Sequence, residues 1–398
     1  MVDSSLAQAF AELFAWCRQH NFAGHDPFDA LNSKVFQATP FRNSAKARLL
    51  WTQVVRRSPL NLRRLALIQP EQNSKGIALF ALAALANYRR TGSKAAELQV
   101  RDLLEQLISL KIETSSGIAW GYNFDWQSRV FFAPRGTPTI VPTAFATRAL
   151  IEARDVFNEN AYLDLARRVC DFVIQELPRT VETQTEICFS YTPGDKTRIF
   201  NASLLAAEVL ALVGARDGNA DYCSVAVKAA RYVVNQQREN GSWFYGAAPN
   251  QDWIDNFHTA YLFSSLKRIM NTCEGAQTDE FQTALQRGYR FWRESFFLAD
   301  GWPKYYHDAL HPVDTHAAAA AIVSLLDLIE LDRNALSLAE RIADWSIRNL
   351  RDKQGFFYYQ RRRFYTVRTP FMRWTQAWML YALARLLEEQ QRDSKRKE

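Results

Sequence analysis

"THAAAAAIVSLLDL", residues 315–328, decides the fold. Five alanines followed by Ile-Val-Ser-Leu-Leu leave no polar stripe, so a helix built from them must be enclosed by neighbours on nearly every side. The run is too short to cross a bilayer. Five other stretches share its character: "SKGIALFALAALANY" (74–88), "TAFATRALIEA" (143–153), "NASLLAAEVLALVG" (201–214), "NFHTAYLFSSLKRI" (256–269) and "RWTQAWMLYALARLL" (373–387). Their starts recur at intervals of 55 to 69 residues, and such recurrence marks a repeat architecture.

Between successive members lies a second kind of helix: "AAELQVRDLLEQLIS" (95–109), "AYLDLARRVCDFVIQEL" (161–177), "YCSVAVKAARYVVNQQ" (222–237), "DEFQTALQRGYRFWRESF" (279–296) and "LSLAERIADWSIRNL" (336–350). Apolar residues at i, i+3, i+4 and i+7 with charges opposite give each of these one wet face. Six enclosed helices alternating with half-exposed ones predict an all-α (α/α)6 toroid, with an inner and an outer ring. The sixth outer helix comes from residues 5–19 or from "SAKARLLWTQVVRR" (44–57). Strand candidates are few and short, and no linker composition interrupts the chain. We therefore expect one domain over 1–390, with 1–73 packing onto the ring, and a disordered basic tail over 391–398.

A chain of 398 residues with 48% hydrophobic and 23% charged residues suits a large soluble core. The N-terminal stretch "MVDSSLAQAFAELFAWCRQ" lacks a basic region ahead of its apolar residues, so it reads as an amphipathic helix, not a signal peptide. No transmembrane segment is expected. Cys17, Cys170, Cys188, Cys223 and Cys273 are scattered without a CxxC, which favours reduced thiols and a cytoplasmic location. The net charge of +7 is spread along helical faces and predicts no nucleic-acid partner. One cluster, "QRRRFYTVRTPFMR" (360–373), interleaves arginines with aromatics and is either a solvated loop or an anion-binding rim.

"YVVNQQRENGSW" (232–243) resembles the Gln…Gly-x-Trp repeat of terpene cyclases and related α-toroids. Through "NFAGHDPFDALNS" (21–33), "GIAWGYNFDWQSR" (117–129) and "ENGSWFYGAAPNQDWIDNFHTAY" (239–261), the whole chain resembles bacterial polysaccharide biosynthesis proteins encoded in exopolysaccharide loci. The fold this implies is related to six-hairpin glycosidases, uronate lyases and epimerases, and terpenoid-cyclase-like toroids.

If each inner helix is followed by an outer return, all six inner helices point the same way. Their N-termini, with unpaired N–H groups and partial positive charge, gather on one rim suited to anions. The segments that lead into those N-termini hold most of the chemistry. Trp126, Trp243, Trp253, Trp302, Trp374, Tyr191, Tyr245 and Tyr305 are candidate sugar platforms. Arg129 and Arg373 are candidate forks for uronate, sulfate or phosphate, and Asn201 is a further binding candidate. Catalytic candidates are His258, Asp252, Asp255, Tyr122 and Asp125, with Asp195 a further carboxylate. Tyr261 shares a helical face with His258, while Asp255 or Asn256 caps that helix. Asp26 and Asp29 either reach the rim or make turns around Pro27.

The substrate expected is an acidic oligo- or polysaccharide. Hydrolysis would use paired carboxylates. Elimination or epimerisation would use a neutralised carboxylate with Tyr or His moving a proton. A non-catalytic glycan-binding or assembly role stays open, as does a terpenoid-cyclase-like toroid without its motifs, since no DDxxD or DxDD is present. His307, His311 and His316 match no strong zinc spacing, so no metal is expected. No cofactor is demanded, and the sequence leaves the oligomeric state open.

Overall fold

The computed structural model describes residues 2–397. Fourteen α-helices account for most of them: α1 (Val2–Gln19), α2 (Lys34–Gln37), α3 (Ala45–Arg57), α4 (Ser74–Thr91), α5 (Lys94–Ser109), α6 (Ile140–Phe157), α7 (Asn160–Glu176), α8 (Phe200–Asp217), α9 (Ala220–Val234), α10 (Asn256–Thr272), α11 (Asp279–Phe296), α12 (Thr315–Asp327), α13 (Ala335–Leu350) and α14 (Trp378–Lys397). Helices α4, α6, α8, α10, α12 and α14 contact one another in sequence order, and α14 returns to α4. The inner ring is therefore closed, as the Ala-rich repeat predicts. Residues 315–326 of α12 are all buried, and alanine at such positions lets helices approach closely.

Each outer helix lies against the inner helix before it, and the sixth outer place is taken by α1, which packs on α14 and α13. Of the two alternatives for that place, residues 44–57 are excluded. They form α3, which sits across the rim against the 126–127 strand and the 29–32 turn. Glycines close the tight hairpins: Gly92 and Gly218 end α4 and α8 at φ 62° and 69°, a conformation that a Cβ would strain.

The strands are short antiparallel pairs between outer and inner helices. They are β1 (Ile112–Glu113) with β2 (Ile118–Ala119), β3 (Trp126–Gln127) with β4 (Phe132–Ala133), and β5 (Arg179–Glu182) with β6 (Ile187–Phe189). A three-stranded group joins β7 (Val313–Asp314), β8 (Gln360–Arg361) and β9 (Thr366–Val367).

The end of the ring away from these strands is bound by ion pairs. Arg89 of α4 meets Glu152 of α6 at 2.9 Å, Arg148 of α6 meets Glu208 of α8 at 2.7 Å, and Glu208 lies 3.8 Å from Arg268 of α10. Arg268 and Arg385 share Asp327 at 2.8 and 3.2 Å, and Glu388 of α14 returns to Arg89 at 2.8 Å. Every neighbouring pair of inner helices is thereby cross-linked.

The tail departs from expectation. Helix α14 continues through Lys397 instead of giving way to a disordered segment at 391. Pairs four residues apart support it, with Arg392 donating to Glu388 at 2.6 Å and Lys397 to Asp393 at 2.5 Å. Residue 398 lies outside the described residues.

Candidate functional site

The first turns of all six inner helices line one cavity of about 400 Å³. Lys75, Val141, Asn201, His258, His316 and Arg373 each come from a different helix start. Helix α3 walls one side with Leu49, Gln53, Arg56 and Arg57. The sixth start is wound as a π-helix over Met372–Ala377 before α14 begins, a form frequent at functional sites. It brings both Arg373 and Trp374 to the lining.

His258 and Asp255 form the first hydrogen-bonded centre in the cavity. Asp255 is the N-cap of α10, its Oδ1 accepting from the His258 backbone N–H at 2.9 Å. Its Oδ2 faces the His258 Nδ1 at 2.6 Å and accepts from the Trp253 indole at 3.0 Å. A carboxylate here only accepts, so Nδ1 carries the proton and Nε2 is the basic nitrogen. One residue thus caps the helix and fixes the tautomer. The ring also lies 4.5 Å from Tyr245, which stacks on Trp253 at 4.4 Å.

The second centre is a chain of three residues that sequence reasoning did not assemble. Lys75 Nζ donates to Tyr261 Oη at 3.1 Å, and Tyr261 Oη lies 2.5 Å from His316 Nε2. Burial pushes His316 well below its ordinary range, helped by the positive charges of Lys75 and Arg373, so its imidazole is neutral and accepts the phenol proton. Burial holds the Tyr261 phenol well above its ordinary range, which keeps it an O–H donor. Lys75 is lowered by burial first and by Arg373 and Arg148 next, while the rings of Phe145 and Tyr261 lie 4.4 and 5.0 Å from its Nζ. A lysine in the first turn of an otherwise apolar helix was the available signal.

Around these centres the wall is aromatic and cationic. Tyr122 and Tyr191 meet through their hydroxyls at 3.2 Å, and Trp126 packs on Tyr191 at 5.1 Å. Tyr305 and Trp374 complete the lining. Arg129 lies over Trp253 at 4.9 Å. Asn201 stands in the first turn of α8, two residues after the cap Ile199. Its buried Oδ1 has no hydrogen-bond partner among the described residues. Arg373 is buried and gripped by Asp26 through Nε and Nη2 at 2.6 and 2.8 Å. Burial works against its charge, but Asp26 overrides that and lifts it above the ordinary arginine range. Asp26 is therefore the anchor of a site arginine and more than a turn residue, while Asp29 ties down Arg63 at 2.8 Å.

Several candidates stand elsewhere. Asp125 accepts from the Arg135 backbone N–H at 2.8 Å and stabilises the β3–β4 hairpin outside the cavity lining. Asp195 is consumed by the N–H and hydroxyl groups of Thr192 and Thr197. Trp243 is a buried anchor whose indole donates to Val233 O at 2.7 Å. It fills the space over Gly288, where an added Cβ would come within 2.4 Å of it. Trp302 packs on Trp345 at 5.0 Å and does not line the cavity. Asp252 lines the mouth, exposed. The three histidines weighed for metal separate: His307 packs on Phe291, His311 on Trp302, and only His316 reaches the cavity.

No family model matches the chain, and no curated protein matches its sequence. Solved structures do match the fold. An unsaturated glucuronyl hydrolase specific for heparin superposes with a TM-score of 0.63 at 13% identity, covering 98% of each chain. The cellobiose 2-epimerase of Bacillus thermoamylovorans gives 0.61 at 12% identity over 81% of this chain and 90% of its own. A GH76 α-mannanase of Bacteroides thetaiotaomicron gives 0.58 at 10% identity, over 80% and 87%. The chain thus has the six-hairpin (α/α)6 toroid fold found in these carbohydrate-active enzymes.

Proposed function

We propose that this protein is an enzyme of exopolysaccharide production that holds an acidic, uronate-type glycan in the bowl and moves a proton on it, by epimerisation or elimination. The observation that carries the reading is the pair of imidazoles in one cavity. His258 is fixed by Asp255, His316 is bonded to Tyr261, and both rings pack on Phe257, at 3.9 and 4.6 Å. His258 Nε2 can accept a carbon-bound proton, and Tyr261, turning its hydroxyl away from His316 Nε2, can supply one from a second position, leaving a phenolate beside Lys75 Nζ and the Arg373 charge. Lys75, Arg56, Arg57, Arg129 and Arg373 line the cavity against Asp252 and Asp255, which favours an anionic ligand. Neutralising a uronate carboxylate makes the adjacent C5–H more acidic.

Hydrolysis by opposed carboxylates fits less well. Asp255 already serves two N–H donors and an imidazole, and Asp252 lies at the mouth. The segments 21–33, 117–129 and 239–261, which carry the resemblance to polysaccharide biosynthesis proteins, contribute Phe28, Tyr122 and His258 to the same lining. That convergence supports a glycan of this class.

The test presents uronic-acid and neutral glycans to the purified protein in deuterated water. It follows C5 exchange, unsaturated ends and new reducing ends together. Exchange or unsaturated ends on uronates alone is the expected result, falling roughly a hundredfold or more in His258→Ala with melting unchanged. New reducing ends without exchange, or full turnover in His258→Ala, would overturn proton transfer. Binding without any turnover would mark a glycan-holding protein.

A further inference from the structure

We propose that the face of the rim formed by α3 and the chain after it docks onto an anionic lipid bilayer. Residues 30–70 carry eight Lys and Arg and no Asp or Glu; Arg63 is buried on Asp29, and Lys34, Arg42, Lys46, Arg57 and Arg64 are exposed. The same segment holds seven of the fourteen large apolar side chains exposed among the described residues. Basic charge and bare aliphatic surface are segregated here together.

The helix shows how they are arranged. Lys46, Leu50 and Val54 lie at i, i+4 and i+8 on one exposed face of α3, with Arg57 at the edge where that face meets the cavity. The adjacent face of the same helix, through Leu49, Gln53 and Arg56, lines the cavity. Beyond the helix, Leu60 and Leu65 are 71% and 79% exposed with Arg64 between them. Tyr365 reaches across to donate to Arg57 O at 3.2 Å, which brings the neighbouring Phe364, 86% exposed, to the same edge. The segment is firmly mounted. Its own small core joins Ala30, Val55, Ala66 and Ile68, and Trp51 donates to Ala30 O at 2.9 Å.

Exposed apolar patches of this kind mark interaction surfaces, and the chemistry selects among partners. A second copy would set two acid-free cationic faces against each other in a symmetric dimer. A soluble polyanion would use the arginines and leave the leucines in water. A bilayer with anionic headgroups uses both, with apolar side chains at the acyl boundary and lysine and arginine among the phosphates. No helix of the described residues is long and apolar enough to cross a membrane, so the contact is peripheral. This inference does not depend on which reaction the cavity performs.

Vesicle co-sedimentation tests it, using the full chain with phosphatidylcholine vesicles with and without phosphatidylglycerol, and dextran sulfate as the soluble polyanion. We expect at least roughly hundredfold stronger partitioning onto the anionic vesicles, at about fivefold per basic side chain among the headgroups. Lys46→Gln with Arg64→Gln should lower it by about twenty-fivefold, roughly fivefold per charge. Leu50→Gln with Val54→Gln should lower it about tenfold while dextran sulfate binding stays unchanged. All four positions are exposed, and a thermal melt confirms that each variant folds. No preference for anionic vesicles overturns the proposal. Vesicle binding indifferent to Leu50→Gln with Val54→Gln assigns the face to soluble polyanions instead. A dimer abolished by that double variant, without vesicle binding, assigns it to a second copy.

Discussion

The same six inner helices finish very differently at their two ends. At the far end, buried and half-buried charges are matched helix by helix, from Arg89 through Glu208 and Asp327 back to Glu388. At the cavity end, polar groups are buried without full partners. Asn201 Oδ1 and His316 Nδ1 have none among the described residues, and Lys75 is held in an environment that disfavours its charge. One end is built to hold the ring closed. The other keeps unmet polar capacity where a ligand can use it, an arrangement typical of functional sites.

The largest expected effect breaks the closed end. Glu208→Leu strands the buried Arg148 and leaves Arg268 with Asp327 alone, so unfolding free energy should fall by about 3–5 kcal/mol in a denaturant titration. The cavity end should answer oppositely. Lys75→Met removes a disfavoured charge, so its thermal midpoint should hold or rise, while turnover falls roughly tenfold with the lost hydrogen bond to Tyr261. A lower midpoint would place Lys75 among the structural residues. A smaller effect sharpens the contrast through pH. His316 is depressed in the folded chain, so below about pH 6.5 the unfolded chain binds a proton that the folded one refuses. Stability should therefore decline as pH falls below that value, by at most about 1.4 kcal/mol per unit. The decline should be shallower in His316→Gln, measured as melting midpoints across pH. The smallest effect belongs to the mouth. Arg129→Ala should cost about 0.5–1 kcal/mol of ligand binding, seen as a raised KM with kcat unchanged.

The architecture was legible because it is written as a period: enclosed alanine-rich stretches alternating with one-faced helices need no tertiary information. The His258–Asp255 unit was also legible, since a cap and a histidine three residues later meet through local geometry. Lys75, Tyr261 and His316 were not, because 186 residues separate the first two and 55 the last two. Only ring closure brings them together. The aromatics misled for a related reason. Trp243 and Trp302 sit in loops as rich as those of Trp126 and Trp253, yet fill structural sockets. A socket such as the space over Gly288 belongs to the neighbouring hairpin and leaves no trace beside the tryptophan.

That closure imposes an order on the chain's own assembly. Arg89 and Glu388 are 299 residues apart, and α1 finds its berth on α14, the last of the ring helices to be made. During synthesis the apolar flanks of α1 and α4 must wait, uncovered, until α14 has emerged. Such late docking slows folding and leaves sticky intermediates. A ribosome stalled before Trp378 would hold an open horseshoe, with its earliest helices still in need of a chaperone.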